Sequence, residues 1–278
     1  MIEVKNLVKH YGGIKAVDDI SFTVEKGSIL GFLGPNGAGK STTMNILTGY
    51  ISASSGNALI DGVDILADPI RAKRNIGYLP EQPPLYLDMT AYEYLCFVYE
   101  LKGSHLPRNT HLKEIIELVG IGEMQNRLIR NLSKGYRQRV GLGGALVGNP
   151  PVLILDEPTV GLDPKQISDI RTLIKQLGEN HTVILSSHIL PEIQAVCDKV
   201  VIINRGKIGG RLDIIGGEIV GDTDSKVADI STLTVRLKEG ESADDMVKKL
   251  SKVAGVESVA RAGGVTLEEV FLKLTGGE

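Results

Sequence analysis

GFLGPNGAGKST, residues 31–42, follows the alternating stretch ISFTVEKGSIL and decides what kind of fold this chain builds. Glycines at 34, 37 and 39 flank a single lysine, Lys40, and two hydroxyl residues, Ser41 and Thr42, come after it. Phosphate oxygens approach backbone N–H groups closely only where no Cβ stands in the way, and glycine also adopts the dihedrals such a loop requires. Gly34 to Ser41 fits the G-x-x-x-x-G-K-[ST] spacing, between an expected strand and an expected helix. The helix opening near Lys40 adds its free N–H groups and the positive end of its dipole. The loop of Gly34, Pro35, Asn36, Gly37, Ala38, Gly39, Lys40, Ser41 and Thr42 is therefore expected to cradle a nucleotide. Lys40 would reach the β- and γ-phosphates and Ser41 would hold Mg2+. A glycine-rich turn with an incidental lysine is the bland alternative, and both flanks count against it. The loop alone does not separate kinases, GTPases and motor ATPases.

A second signal lies in PVLILDEPTVGLD, residues 151–163. Its continuous apolar run reads as a central parallel strand, with Asp156 and Glu157 at its end. Ligands of α/β sheets bind beyond the carboxyl ends of strands, so these acids are expected to face the phosphate loop. Asp156 is the candidate Mg2+ residue, and Glu157 is the candidate general base that aims water at the γ-phosphate. His188 ends another apolar strand, TVILSSH. Its position allows a polar contact to the γ-phosphate and allows a purely structural role equally well.

Working outward, residues 1 to about 33 alternate as short strands, and KSTTMNILTG reads as a helix closing on Gly49. Asp61-Gly62 is a hairpin signal. RNIGYLPEQPPLYLDMT reads as a strand and then a proline-broken loop, and residues 91–149 turn helical. Strand character returns with PVLILDEP, TVILSSH and KVVIINRGKIG. A nucleotide-binding core interrupted by a helical insertion is expected over residues 1–212. A polar linker is expected over 213–230 and a small α/β accessory domain over 231–278.

The bulk numbers exclude other classes. With 278 residues and 33 glycines the chain is long enough for one large α/β domain and an appendage. A formal net charge of −3 argues against a protein whose main business is nucleic-acid binding. Cys96 and Cys197 have no CxxC partner and are expected as buried, reduced thiols in a cytosolic setting. No apolar run reaches the ~20 residues of a membrane-spanning helix, and no direct lipid anchor is expected.

These motifs, with LSKGYRQRV at 132–140, make the chain resemble the ATP-binding subunits of ABC transporters. The family's phosphate loop, Q-loop, signature, Walker B, D-loop and H-switch all have candidates in that order, over residues 1 to about 212. The resemblance implies an α/β P-loop NTPase core of the ABC ATPase kind, with an N-terminal antiparallel β subdomain and the helical insertion. It implies that Tyr11 stacks on adenine, that Asp163 lies at a dimer contact and that His188 is the switch histidine. It also implies that Ser133 and Gly135 face ATP held by a second copy of the chain.

The signature departs from the family's LSGGQ, since Lys134 replaces a glycine and Tyr136 the glutamine. Ser133 can still cap the following helix. In the Q-loop, Glu81 stands where the family has glutamine and Gln82 follows, so either could approach Mg2+ or the attacking water. LSKGYRQRV, GYLPEQPPLYLDMT and the terminal LEEVFLKLTG are most similar to ATPases paired with type-2 exporters of the drug, sodium-efflux and gliding-motility kinds. The resemblance implies a peripheral ATPase at the cytoplasmic face of the cell membrane, using ATP and Mg2+. It would drive an integral membrane permease docked near residues 82–100. A soluble ABC ATPase of repair or translation type is the alternative, although such chains generally carry a long coiled coil or a tandem ATPase. Specificity for the transported substrate would reside in the permease, so this sequence does not name it.

Overall fold

The computed structural model describes residues 1–215, 218–222 and 267–275. Ile2–Tyr11 (β1) pairs antiparallel with Ile14–Val24 (β2) and with Ser55–Ile60 (β4), which turns back as Val63–Asp64 (β5). The turn holds Asp61 and Gly62 at φ 49° and 79°, the left-handed pair of a two-residue hairpin. The result is a four-stranded sheet of order β2-β1-β4-β5, the expected antiparallel subdomain.

Among the described residues the main sheet has seven strands. They are Ile29–Leu33 (β3), Ile76–Leu79 (β6), Val152–Asp156 (β7), Thr182–Ser187 (β8), Lys199–Asn204 (β9), Lys207–Ile215 (β10) and Glu218–Asp222 (β11). Their order is β11-β10-β9-β3-β8-β7-β6, parallel from β9 to β6, with β10 and β11 added antiparallel at one edge. β3, β7 and β8 are buried at every residue because both faces of the sheet are covered. Alternation along β7 divides its side chains between two cores. Leu153 and Leu155 join a cluster with the helices, while Val152 and Ile154 join a cluster with the antiparallel sheet. Each such fully buried side chain contributes about 1.5–3 kcal/mol of transfer free energy.

The helices are Lys40–Leu47 (α1), Pro69–Arg74 (α2), Ala91–Lys102 (α3), Arg108–Leu118 (α4), Lys134–Leu146 (α5), Pro164–Gly178 (α6), Leu190–Val196 (α7) and Leu267–Thr275 (α8). The expected insertion consists of α3, α4 and α5. α3 opens on a capping box in which Glu93 N–H donates to Thr90 Oγ1 at 3.2 Å and Thr90 N–H donates to Glu93 Oε2 at 2.8 Å. At its other end Lys102 Nζ donates to the carbonyls of Ala145 (3.0 Å) and Val147 (2.8 Å), bringing a cation to the C-terminus of α5.

Burial pushes the Lys102 ammonium down to about 8 from 10.5. Between those values the unfolded chain binds the extra proton, so the folded state gains stability as pH rises through that window. Thermal unfolding across pH 7.5–10.5 should therefore favour the native chain over Lys102→Met progressively more, by on the order of 2–3 kcal/mol. A difference independent of pH would place the Lys102 head group in water.

The structure alters or adds to the expectations at three points. Residues 213–215 and 218–222 of the expected linker are strand, because Leu212 and Ile214 are buried and carry β10 past the expected boundary, and β11 pairs with it. Within the expected accessory domain, the terminal helix α8 packs on β9, β10 and α7. Leu267 is 1% exposed, Leu274 lies against Gly210, and Asn204 Nδ2 donates to the Leu274 carbonyl at 3.2 Å. The rest of the expected accessory domain lies outside the described residues. Third, Cys197 is buried but Cys96, on α3, is only half-buried. Among the described residues no helix is long and apolar enough to cross a membrane.

Candidate functional site

The site gathers where β3, β6, β7 and β8 end side by side, at the carboxyl edge of the parallel sheet. The loop after β3 is pressed from behind. A Cβ on Gly34 would run into the Ile203 carbonyl, and one on Gly39 would lie 2.5 Å from the Ala16 carbonyl oxygen, where φ is already +109°. Gly39 therefore has to be glycine on two counts. The turn after β9 braces the loop as well, since Gly206 N–H donates to the Ala38 carbonyl at 2.9 Å and Asp18 N–H donates to the Gly206 carbonyl at 2.8 Å. Asn36, Gly37 and Ser41 remain exposed on the open side, with Pro35 and Thr42 half-buried beside them.

Lys40 is only 6% exposed. Its ammonium donates to the carbonyls of Gly34 (2.7 Å) and Pro35 (3.2 Å) and stands 3.6 Å from Glu157 Oε1. Glu157, also 6% exposed, has a second neighbour in His188, whose Nδ1 lies 2.9 Å from Oε2 and 3.0 Å from Oε1. An ionised carboxylate only accepts, so in this pair His188 Nδ1 is the donor. The three side chains picked from separate stretches of sequence thus form one chain of contacts. Glu157 sits at φ +48°, a left-handed backbone that costs a non-glycine residue roughly 1–3 kcal/mol and that clusters at active sites.

Ser186 holds that backbone in place. Glu157 N–H donates to the Ser186 carbonyl and hydroxyl oxygens, both at 3.2 Å, and the same hydroxyl donates to Asp156 Oδ1. One serine on β8 therefore fixes both acids of β7. Asp156 is buried, and its charge adds to burial in pushing the nearby Tyr78 phenol up to about 12, so Tyr78 stays neutral and points at Asn45 Oδ1, 3.4 Å away.

The residues present suit a phosphate-bound magnesium. Among the described residues no cluster of three His, Cys, Asp or Glu side chains could hold a metal alone. Mg2+ rarely needs one, since it is commonly held by one or two protein oxygens together with substrate phosphates. The exposed Ser41 hydroxyl and the Asp156 carboxylate are the oxygens available. Glu81 and Gln82 leave the end of β6 beside β7 and are both exposed, so the geometry prefers neither.

Tyr11 is 50% exposed at the end of β1, with Lys9 Nζ 5.2 Å from its ring centroid. Ser133 caps α5 by accepting Tyr136 N–H at 3.4 Å, while the Tyr136 ring packs against the helical core. The Gln166 carboxamide of α6 lies against Gly135, where a Cβ would stand. Asp163 caps α6 by accepting Gln166 N–H at 2.9 Å. Ser133 and Gly135 make no hydrogen bond to residues 34–42 among the described residues. They lie instead beside the 161–166 turn, with Lys134 against Gly161. Sequence reasoning missed Ser186, Thr159 and Glu192. The only hint was a pair of serines closing an otherwise apolar strand.

A family model described as "ABC transporter" matches residues 17–160. The linearmycin resistance ATP-binding protein LnrL of Bacillus subtilis (strain 168) is 36% identical over 279 residues, spanning 99% of this chain and 84% of that protein. The bacitracin transport ATP-binding protein BcrA of Bacillus licheniformis is 40% identical over 210 residues, 75% of this chain and 68% of that one. Among solved structures, a dimeric ATP-binding cassette in a post-hydrolysis state with ADP and Pi superposes with a TM-score of 0.70 at 26% identity. That match covers 78% of this chain and all of the cassette, 100% of its residues.

Proposed function

The chain belongs to the ABC transporter family as an ATP-binding, ATP-hydrolysing subunit, and from that premise we propose how its residues divide the work. Two copies close around a pair of ATP molecules and drive an integral membrane permease from the cytoplasmic side. The observation that carries this reading is the Lys40–Glu157–His188 chain of contacts at the mouth of the phosphate loop. The Lys40 ammonium is held partly by Glu157. A triphosphate in the loop competes for that ammonium through stronger charge-assisted bonds. Glu157 is then left with His188, free to accept a proton from an attacking water.

ATP supplies the phosphoanhydride bond, and Mg2+ neutralises the charge spread over its phosphates. Ser41 and Asp156 would hold that ion, with Glu81 or Gln82 beside it. Tyr11 offers a face for the adenine ring. The tip of α5, with Ser133 and Gly135, presents its N–H groups to the nucleotide of the other copy, and Asp163 meets that copy nearby. Residues 1–212 are the ATPase unit in this reading. Relatives named for linearmycin resistance and bacitracin transport support export, of compounds of antibiotic type, as the direction of transport.

Tagged and expressed in its own cells, the chain should sediment with membranes and bring down an integral membrane protein in detergent. The isolated complex should hydrolyse ATP with Mg2+ and stop when the metal is chelated. A chain recovered wholly without a membrane partner would instead favour the repair- or translation-type ATPase.

A further inference from the structure

Glu192 stands in the first turn of α7 and is 2% exposed. A carboxylate so deep requires partners, and here they come from three different segments. Thr159 Oγ1 donates to Glu192 Oε2 at 2.5 Å, and Ser187 Oγ donates to the same oxygen at 3.3 Å. Arg171 Nη2, on α6, lies 3.8 Å from Oε1. Thr159 follows closely on Glu157 and begins the turn that leads to Asp163. Ser187 immediately precedes His188, and its hydroxyl also accepts Ile189 N–H at 3.0 Å, wrapping the backbone around the histidine. One carboxylate therefore gathers the chain just beyond the candidate base and just before the histidine that touches it.

The arrangement is also incompletely closed. Glu192 Oε1 and Arg171 Nε are buried without a hydrogen bond. A shift of α6 toward α7 by about 1 Å would bring the guanidinium into hydrogen-bonding distance. Asp163 caps α6, which carries Arg171, so movement of that turn moves Arg171 as well.

We propose that Glu192 is a positioning residue: it ties the turn carrying Asp163 to the segment carrying His188, so that contact with a second copy is passed to the Glu157–His188 pair. This rests on the roles given above to Glu157 and Asp163. It accounts for a buried anion that the nucleotide itself does not need, since neither Glu192 nor Thr159 bonds the phosphate loop.

ATP turnover and nucleotide affinity, measured on the full chain, test it. Glu192→Ala should lower kcat roughly tenfold to a hundredfold through misplacement of the reacting groups. Nucleotide affinity should stay within about twofold of the native chain, because the lost interaction is made on the way to the transition state. Should Glu192→Ala fail to fold, Thr159→Val removes the same tie with little change of volume. It should show the same split between kcat and affinity, and Thr159→Ser, which keeps the hydroxyl, should restore turnover. Native kcat in Thr159→Val, or an equal loss in Thr159→Ser, would overturn the proposal. If Glu157→Gln is inactive while Thr159→Val turns over normally, this inference fails and the assignment of the base stands.

Discussion

Replacing Glu157 by glutamine should slow ATP hydrolysis by two or more orders of magnitude, about the loss expected when a positioned general base is removed. The substitution is nearly isosteric, in a site where the carboxylate is 6% exposed. The amide can still accept the His188 Nδ1 proton, so the strand ends should keep their places. What it cannot do is take a proton from water at neutral pH. It also removes a negative charge 3.6 Å from Lys40, which frees the ammonium for phosphate. Nucleotide binding should therefore persist or tighten, and the closed pair of chains should accumulate. Size-exclusion chromatography with ATP and Mg2+ should show a dimer absent without nucleotide, beside a phosphate-release rate near background. Native turnover would remove Glu157 from the role.

Ser133→Arg should be nearly as damaging and for a different reason. Ser133 is exposed at the first turn of α5, and loss of its cap to Tyr136 N–H costs the helix about 1 kcal/mol, too little to unfold the domain. The arginine would instead project, next to Lys134, from the surface proposed above to meet a second chain. Turnover should fall to background while a single chain binds nucleotide as before, measured by a fluorescent ATP analogue. If single-chain binding disappeared as well, the tip of α5 would belong to its own chain's site and the two-chain clamp would be wrong.

The parts legible in the sequence are those where chemistry restricts residue type. Gly39 admits no side chain because a neighbouring carbonyl lies where its Cβ would go. Asp156 and Glu157 end an apolar run, so their edge of the sheet could be named before any coordinates. His188 could be placed at a strand end, but its position alone left function and packing equally open; the resemblance gave it a role, and its 2.9 Å contact with Glu157 is what the structure adds. Thr159, Ser186 and Glu192 were invisible because each is defined by a partner some thirty positions away, such as the 33 separating Thr159 from Glu192. β11 was read as linker because GGEIVGD carries the glycines of a turn. Its pairing comes from β10, which offers an open edge. The docking of α8 could not be foreseen either, since an amphipathic helix states that one face is covered without stating by what.

That docking has a mechanical corollary. The last turn of α8 is hydrogen-bonded to Asn204, and the very next residues form the turn whose Gly206 amide grips Ala38 in the phosphate loop. Helix α8 and the loop proposed to hold triphosphate are therefore linked through three consecutive residues, Asn204 to Gly206, so a substitution that loosens the one is expected to reach the other.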